Sequence, residues 1–205
     1  GLIEALERKG WAYKIDEGGG AFYGPKIDLK IEDAIGRMWQ CSTIQLDFNL
    51  PERFGLEYVA ADGSRQRPIM IHRAIFGSLE RFFGIMTENY AGDFPFWLAP
   101  EQIRLLPVTD EVQPYAERLL EQLTSVGVRA TIDRSGERLG KLIRTGEQMK
   151  IPVLAVIGAK EAEQEAVSLR SRRDGDLGVM PASRLIEAAG QAGRDRLAGL
   201  EFSPA

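Results

Sequence analysis

The feature that most constrains the fold is a change in hydrophobic pattern at residues 94–100, which read F-P-F-W-L-A-P. Prolines and aromatic side chains together are typical of a packed linker. Before this segment, apolar and polar residues alternate as in antiparallel strands; beyond it, apolar runs alternate with helical periods, as in a mixed sheet. A chain of 205 residues is long enough for two such domains. We therefore predict domains at 1–98 and 99–205.

The first domain is predicted to be an antiparallel sheet that leads into a helix. Gly10 is expected to end a helix at 2–9, and Asp62-Gly63 is typical of a hairpin turn between strands at 56–60 and 67–71. Apolar residues at helical spacing predict a helix within 72–90. Alternation predicts the remaining strands, at 11–16, 21–25, 27–31 and 37–46.

The second domain is predicted to be a compact α/β domain around a mixed sheet. The expected strands are 103–108, 128–133, 151–157 and 166–172. The expected helices are 112–126, 138–149 and 181–192. The letters D-G-D-L-G at 174–178 are typical of turns. The fold class is therefore α+β for the first domain and α/β for the second.

Composition excludes several classes of protein. The net charge of −4 argues against binding DNA or an anionic membrane by bulk charge, and no apolar run is long enough to span a bilayer. A single cysteine, Cys41, excludes an intrachain disulfide and favours a reducing compartment. A single histidine, His72, excludes a zinc site closed by four Cys or His ligands within this chain. The chain begins with glycine, so we expect it to be a piece of something longer.

The strand at 37–46 carries more polar side chains than a core face accepts. Strict alternation places Gln40 on one face, and Thr43, Gln45 and Asp47 on the other. Ordered polar side chains on one sheet face are typical of a ligand site. A solvated sheet face remains the alternative.

Other polar residues stand close to glycine. Tyr23 and Lys26 flank Gly-Pro, an arrangement that fits either a ligand at a sheet edge or a turn with a solvated lysine. Arg81 follows Gly77-Ser78 at the predicted start of a helix, which suits a phosphate group. The alternative for Arg81 is an ion pair with Glu80 or Glu88.

The second domain has a cluster of basic residues although the chain is acidic overall. Arg134, Arg138 and Lys141 recur at helical spacing, which predicts one charged helical face. Such a face is either a nucleic-acid contact or a solvated helix surface.

Four strings carry a resemblance over essentially the whole chain: G-G-A-F-Y-G-P-K-I-D, W-Q-C-S-T-I-Q-L-D-F-N-L-P-E-R-F, P-I-M-I-H-R-A-I-F-G-S-L-E-R-F and F-P-F-W-L-A-P-E-Q. In these strings the chain resembles the bacterial-type threonyl-tRNA synthetases, which are class II aminoacyl-tRNA synthetases. The resemblance implies that 1–98 is the C-terminal part of the class II catalytic domain and 99–205 an anticodon-binding domain.

The resemblance also implies roles for single residues. Arg81 and Lys26 would be the catalytic residues, with Arg81 on the ATP γ-phosphate within the third class II motif. His72 would be one of three protein ligands of a catalytic zinc ion. The implied threonine and ATP site further contains Tyr23, Lys26, Gln40, Thr43, Gln45 and Ser78. The implied anticodon contacts are Glu161, Arg170 and Lys150, the last at a position where relatives can have Arg.

The implied reaction has two steps. Threonine would attack the α-phosphate of ATP, and the threonyl group would then pass from the adenylate to the 3′-terminal ribose of threonine tRNA. The implied cofactors are Zn²⁺ and the Mg²⁺ that accompanies ATP. The implied full-length enzyme is a cytoplasmic homodimer that binds neither membrane nor DNA.

The same resemblance predicts that the chain is a C-terminal fragment and is inactive alone. The first and second class II motifs, the editing domain and two further zinc ligands are not among its residues. The alternative hypothesis is a non-catalytic paralogue of the synthetase that binds tRNA or another RNA, or that has a regulatory role.

Overall fold

The chain divides into two compact units, Gly1–Asn89 and Tyr90–Ala205. The computed structural model describes residues 1–202. The units divide a few residues before the predicted domain boundary at 98/99, and the predicted role of each domain stays a prediction. In the described part of the chain, no helix is both long enough and apolar enough to cross a membrane.

Unit 1 is built on a small antiparallel sheet. Its elements are α1 (Leu2–Lys9), β1 (Lys26–Glu32), β2 (Met38–Asp47), α2 (Asn49–Arg53), β3 (Tyr58–Val59), β4 (Arg65–Gln66), β5 (Met70–Ala74) and α3 (Leu79–Tyr90). The sheet order is β1-β2-β5, and β3 and β4 form a separate hairpin. The predicted antiparallel sheet is confirmed, as is the helix that ends at Gly10, whose φ of 66° is left-handed.

Three local predictions in unit 1 are wrong. Residues 11–16 form no strand, because no neighbouring strand bonds to them. The hairpin around Asp62-Gly63 is shorter than predicted, and its partner strands are β3 and β4. Residues 21–25 form no strand either, because Ala21 and Gly24 close a turn through a single bridge. The helix predicted within 72–90 is present and spans Leu79–Tyr90.

Unit 2 surrounds a five-stranded mixed sheet with helices. Its elements are β6 (Ile103–Pro107), α4 (Gln113–Ser125), β7 (Ala130–Ile132), α5 (Leu139–Gln148), β8 (Val153–Ile157), α6 (Ala159–Glu163), β9 (Ala166–Ser171), β10 (Gly175–Pro181) and α7 (Ala182–Arg194). The order is β10-β9-β8-β6-β7, in which β6 is parallel to β7 and β8, and the other pairs are antiparallel. The predicted mixed sheet is confirmed.

The core of unit 2 is formed by the apolar sides of the sheet and of its long helices. Ile103, Leu105 and Ile157 from the strands, with Leu123 and Leu185 from α4 and α7, are fully buried. Continuous apolar runs such as β8 are expected for a strand covered on both faces. The apolar residues that predict the strands of unit 2 from the sequence are thus the residues that form its core.

Two predictions in unit 2 are wrong. Residues 174–178 were expected to form turns, but from Gly175 they belong to β10, which passes through a register shift at Leu177. The predicted basic helical face does not form, because α5 begins at Leu139 and Arg134 lies in the preceding loop, where it pairs with Glu117.

Candidate functional site

The candidate site lies on one face of the unit 1 sheet. Residues directly opposite each other in antiparallel strands place their side chains on the same face. Lys26 pairs with Gln45, and Gln45 pairs with His72 on the third strand. The next row of the same face contains Asp28 and Thr43, which also pair directly. The register therefore brings predicted ligand residues from three strands onto one surface.

One part of this face is a cavity of about 360 Å³, which we call the His72 cavity. The Tyr23 hydroxyl donates to Gln45 Oε1 at 3.1 Å, and the Tyr23 ring meets His72 edge to face at 6.3 Å between centroids. His72 Nε2 lies 2.8 Å from Asp47 Oδ2. The cavity is lined by Phe22, Tyr23, Gln45, Asp47, Asn49, Leu50, Arg53 and His72.

Asp47 is the buried anchor of the His72 cavity, with 2 % of its surface exposed. Burial acts to raise the pKa of this carboxyl, but three hydrogen bonds outweigh it and hold the pKa below its usual value. The donors are the backbone N–H of Leu50, the His72 ring and the backbone N–H of Asn49. Asp47 is therefore ionised at neutral pH and fixes the His72 ring on one side.

The Tyr23 segment is held against β2 by a glycine. The backbone N–H of Phe48 donates to the Tyr23 carbonyl at 3.1 Å. A Cβ on Gly24 would lie 2.2 Å from the carbonyl oxygen of Leu46, a backbone atom that cannot move aside. Only glycine permits this close approach, which places Tyr23 over the cavity.

A second group of side chains on this face, the Asp28 cluster, consists of Lys26, Asp28, Gln40 and Thr43. Asp28 Oδ2 accepts from Lys26 Nζ at 2.5 Å. Asp28 Oδ1 accepts from Gln40 Nε2 at 2.7 Å and from Thr43 Oγ1 at 2.8 Å. Gln40 Nε2 also donates to Thr43 Oγ1 at 2.9 Å. Three predicted substrate-binding residues thus share one carboxylate.

The contact between Gln40 and Thr43 corrects the predicted faces of β2. Strict alternation placed these two side chains on opposite faces. The pairing shifts from Leu29 with Ser42 to Lys30 with Gln40, which leaves Cys41 as an extra residue in β2. Such a bulge reverses the alternation on one side of it. Gln40 therefore joins Thr43 on the site face, and Cys41 is buried.

Arg81 lies at the start of α3, where it contacts β2. Its Nη1 donates to the Gln40 carbonyl at 3.3 Å, and its guanidinium lies 5.5 Å from the centre of the Trp39 ring. The Ser78 hydroxyl accepts from the backbone N–H of Arg81 at 3.1 Å and so caps the helix. Gly77 has a φ of 72°, and a Cβ there would lie 3.1 Å from the Cys41 carbonyl. The alternative for Arg81, an ion pair with Glu80 or Glu88, is not seen among the described residues, and Glu88 binds Arg37.

The resemblance implies a zinc ion, and His72 is the residue of this chain that would hold it. Histidines that bind zinc usually bond a carboxylate through their second ring nitrogen, and the His72–Asp47 pair has this chemistry. A catalytic zinc takes three protein ligands. Among residues 1–202, no group of three or more His, Cys, Asp or Glu side chains could hold a metal ion. The described residues therefore fit one zinc ligand and do not form a complete zinc site.

In unit 2 the predicted anticodon residues take part in separate local contacts. Arg170 Nε on β9 donates to Glu147 Oε1 on α5 at 2.9 Å. Lys150, whose φ is 60°, donates to the Ala91 carbonyl. Glu161 accepts from the backbone N–H of Gly158 at 3.0 Å at the start of α6. Each side chain is thus oriented by its neighbours.

Sequence reasoning missed three residues that hold the site together: Asp28, Asp47 in its contact with His72, and Trp39. For Asp28 a signal was present, because Lys26 and Asp28 are two residues apart in a strand and so share a face with opposite charges. For Asp47 and Trp39 the partners come from other strands or from a helix, which spacing along the chain does not show.

Two family models match, one in each unit. The model described as "tRNA synthetase class II core domain (G, H, P, S and T)" matches residues 4–90. The model described as "Anticodon binding domain" matches residues 102–191. The two matches together include every residue singled out above as a candidate for the site.

Curated relatives extend the likeness to nearly the whole chain. A threonine--tRNA ligase of Synechococcus sp. (strain CC9605) is 87% identical over 203 residues, which is 99% of this chain and 33% of that protein. The "Threonine--tRNA ligase, chloroplastic/mitochondrial 2" of Arabidopsis thaliana is 60% identical over 185 residues, 90% of this chain and 28% of that protein. The chain thus spans about a third of the length of the relatives it matches.

A solved structure has the same fold. The crystal structure of the RNA binding domain of threonyl-tRNA synthetase from Cryptosporidium parvum Iowa II superposes with a TM-score of 0.84 at 36% identity. The superposition covers 98% of this chain and 50% of that one.

Proposed function

Because the chain belongs to the threonine–tRNA ligase family of class II aminoacyl-tRNA synthetases, we propose that it carries part of the ATP and threonine site together with an anticodon reader. The observation that carries the proposal is the single sheet face of unit 1, on which Lys26, Gln45 and His72 form one row beside the Asp28 cluster.

The first step of the proposed reaction joins threonine to ATP. An oxygen of the threonine carboxylate attacks the α-phosphorus, and pyrophosphate leaves. Arg81 binds the γ-phosphate and offsets the charge that develops on the leaving group. Lys26 supplies a second positive charge from the sheet face. Ser78 caps α3 and so holds in place the first turn, which contains Arg81.

Threonine is proposed to bind in the His72 cavity. Tyr23 and Gln45 line it with a bonded pair of polar groups, and His72 would be this chain's ligand to zinc. When bound, zinc supplies a Lewis acid that recognises an amino and a hydroxyl group together. A site built to bind a hydroxyl group rejects valine far better than an apolar pocket of the same size would.

The second step transfers the threonyl group to the 3′-terminal ribose of threonine tRNA. Unit 2 is proposed to read the anticodon with Glu161, Arg170 and Lys150, each held by the contacts described above. Family membership also supports Mg²⁺ with ATP, a homodimeric full-length enzyme and a cytoplasmic location as further parts of the proposal.

The test joins this chain to the remaining two thirds of the relative from strain CC9605, in place of the matching segment. We expect the chimaera to catalyse threonine-dependent exchange between ATP and pyrophosphate. Arg81→Ala should lower kcat of exchange by about 100-fold or more, because a charge-stabilising donor is lost. The matched control is Arg65→Ala in the β3–β4 hairpin, whose partner is Glu57; it should leave the rate unchanged.

The same chimaera separates the two units. Arg170→Glu should leave exchange intact and raise the KM for threonine tRNA in aminoacylation by about tenfold, since one base contact is lost. Arg173→Glu makes the same charge change three positions along and should have a smaller effect. A folded chimaera that binds threonine tRNA but shows no exchange would contradict the proposal and favour the non-catalytic paralogue.

A further inference from the structure

We propose that Asp28 is a positioning residue of the substrate site, acting through Lys26, Gln40 and Thr43. The inference rests on the proposed function, because these three side chains are among those expected to touch threonine or ATP. Its basis is that one carboxylate accepts hydrogen bonds from all three, at 2.5, 2.7 and 2.8 Å.

The first consequence concerns the amide of Gln40. Its Nε2 donates twice within the cluster, to Asp28 Oδ1 and to Thr43 Oγ1. Both acceptors lie on the nitrogen side of the amide, so that end of Gln40 is turned into the cluster. The atom that remains to bind a substrate is therefore the acceptor Oε1, which suits a hydroxyl or an ammonium group. Asp28 thus selects which end of Gln40 the substrate meets.

The second consequence concerns the hydroxyl of Thr43. It donates its one hydrogen to Asp28 and accepts from Gln40, so its rotation is fixed. Only a group with two acceptor oxygens at position 28 accepts from Gln40, Thr43 and Lys26 at once. An amide in the same place would turn its NH₂ group either toward the Lys26 ammonium or toward Gln40 and Thr43, and it would lose at least one of the three bonds.

The third consequence concerns the charge of Lys26. The side chains of Lys26 and Asp28 are 22% and 20% exposed, so the ion pair is mostly shielded from water. One of the three ammonium hydrogens is used, and the other two are left for an anionic oxygen of the substrate. Asp28 holds the ammonium over the sheet at the row that also contains Gln45 and His72.

A double-mutant cycle in the chimaera tests whether Asp28 acts through its neighbours. Asp28→Asn alone should lower kcat of pyrophosphate exchange by about 10- to 100-fold, the cost of small misplacements at a reacting centre. KM for ATP should change less than kcat. In a Gln40→Ala background, the same substitution should cost at least about fivefold less, since groups in one network are not additive.

The matched control is Glu32→Gln, which removes the same charge from the exposed end of the same strand. It should leave kcat unchanged. Combined with Gln40→Ala, it should give the same kcat as Gln40→Ala alone. If the Asp28→Asn effect multiplies in full with that of Gln40→Ala, Asp28 only pins β1 to β2 and the inference is overturned. An inactive parent chimaera would instead count against the proposed function.

A measurement on the 205-residue chain itself needs no variant. The carboxamide hydrogens of Gln40 should exchange with water at least about tenfold more slowly than those of Gln148, which is exposed on α5, because the Gln40 amide nitrogen donates within the Asp28 cluster. Equal exchange rates, read by ¹⁵N NMR, would overturn the inference even if Asp28→Asn failed to fold.

Discussion

The two units stabilise themselves by different means. In unit 2, large apolar side chains such as Leu105, Leu123 and Leu185 are fully buried in one cluster. Within this chain, which spans about a third of the length of its relatives, large apolar side chains of unit 1 are exposed: Phe22 is 92% exposed and Leu79 is 72% exposed. The buried groups of unit 1 include two ionised carboxylates, Asp33 and Asp47. Within this chain, unit 2 therefore depends mainly on apolar burial, and unit 1 depends more on hydrogen bonds and ion pairs.

This difference accords with what each unit presents. Polar groups that are ordered but not covered are available to a ligand, and the site face of unit 1 consists of such groups. The cost is that unit 1 has few apolar contacts of its own to hold its strands together. We expect substitutions that remove apolar volume to be costly in unit 2 and tolerated on the exposed surface of unit 1.

The largest expected effect comes from truncating the core. Leu105→Ala should lower the free energy of unfolding of unit 2 by about 2–5 kcal/mol, because a fully buried side chain leaves a cavity. Leu79→Ala removes the same atoms from an exposed position in unit 1, and it should change the free energy of unfolding of unit 1 by less than about 0.5 kcal/mol. Urea unfolding read by hydrogen exchange in peptides of each unit measures both. Equal losses would contradict the comparison.

The same substitution should have opposite signs in two helices. Gly146 in α5 faces Leu154, and an added Cβ would lie 2.6 Å from Leu154 Cδ2, so Gly146→Ala should destabilise unit 2 by about 1–3 kcal/mol. Gly84 in α3 has open space around it, so Gly84→Ala should stabilise α3 by about 0.5–1 kcal/mol through helix propensity. Thermal unfolding and helix-specific hydrogen exchange measure both changes. Two changes of the same sign would show that packing does not distinguish the units.

The same contrast explains why unit 2 is easier to predict from the sequence than unit 1. The apolar runs at Ile103–Pro107 and Val153–Ile157 predicted buried strands correctly, because such runs have few alternatives in a covered sheet. The sequence predicted that the unit 1 sheet has a polar face, but it did not predict correctly which side chains lie on that face. A bulge at Cys41 reversed the side of Gln40, and bulges leave no signal in alternation.

Residues 11–16 show the opposite failure. They alternate as a strand would, but alternation only describes which face each side chain occupies. Whether a strand forms depends on a partner that offers its N–H and C=O groups, and the described residues provide none there. For Asp47 and Trp39 the decisive partners lie on other elements, so spacing along the chain does not reveal them. For Asp28, spacing indicates Lys26 but not Gln40 and Thr43.

The smallest expected effect is a pH dependence in the turn between β1 and β2. Burial acts to raise the pKa of Asp33, but hydrogen bonds from Trp39, Arg37 and Ile35 outweigh it and hold the pKa well below its ordinary value of 3.8. The ionised carboxylate thus stabilises the fold in full above that ordinary value. The stabilisation is lost as the pH falls from there toward the folded-state pKa.

Asp33→Asn should therefore lower the melting temperature of unit 1 by a few degrees at neutral pH, and the difference from the parent chain should shrink between about pH 5 and pH 2. Circular dichroism melts across this range measure it. Asp16→Asn, in an exposed loop, is the matched control and should show no such trend. A difference that stays constant with pH would mean that the shape of the Asp33 side chain, and not its charge, holds the turn, and that unit 1 is less dependent on ionised groups than the comparison with unit 2 implies.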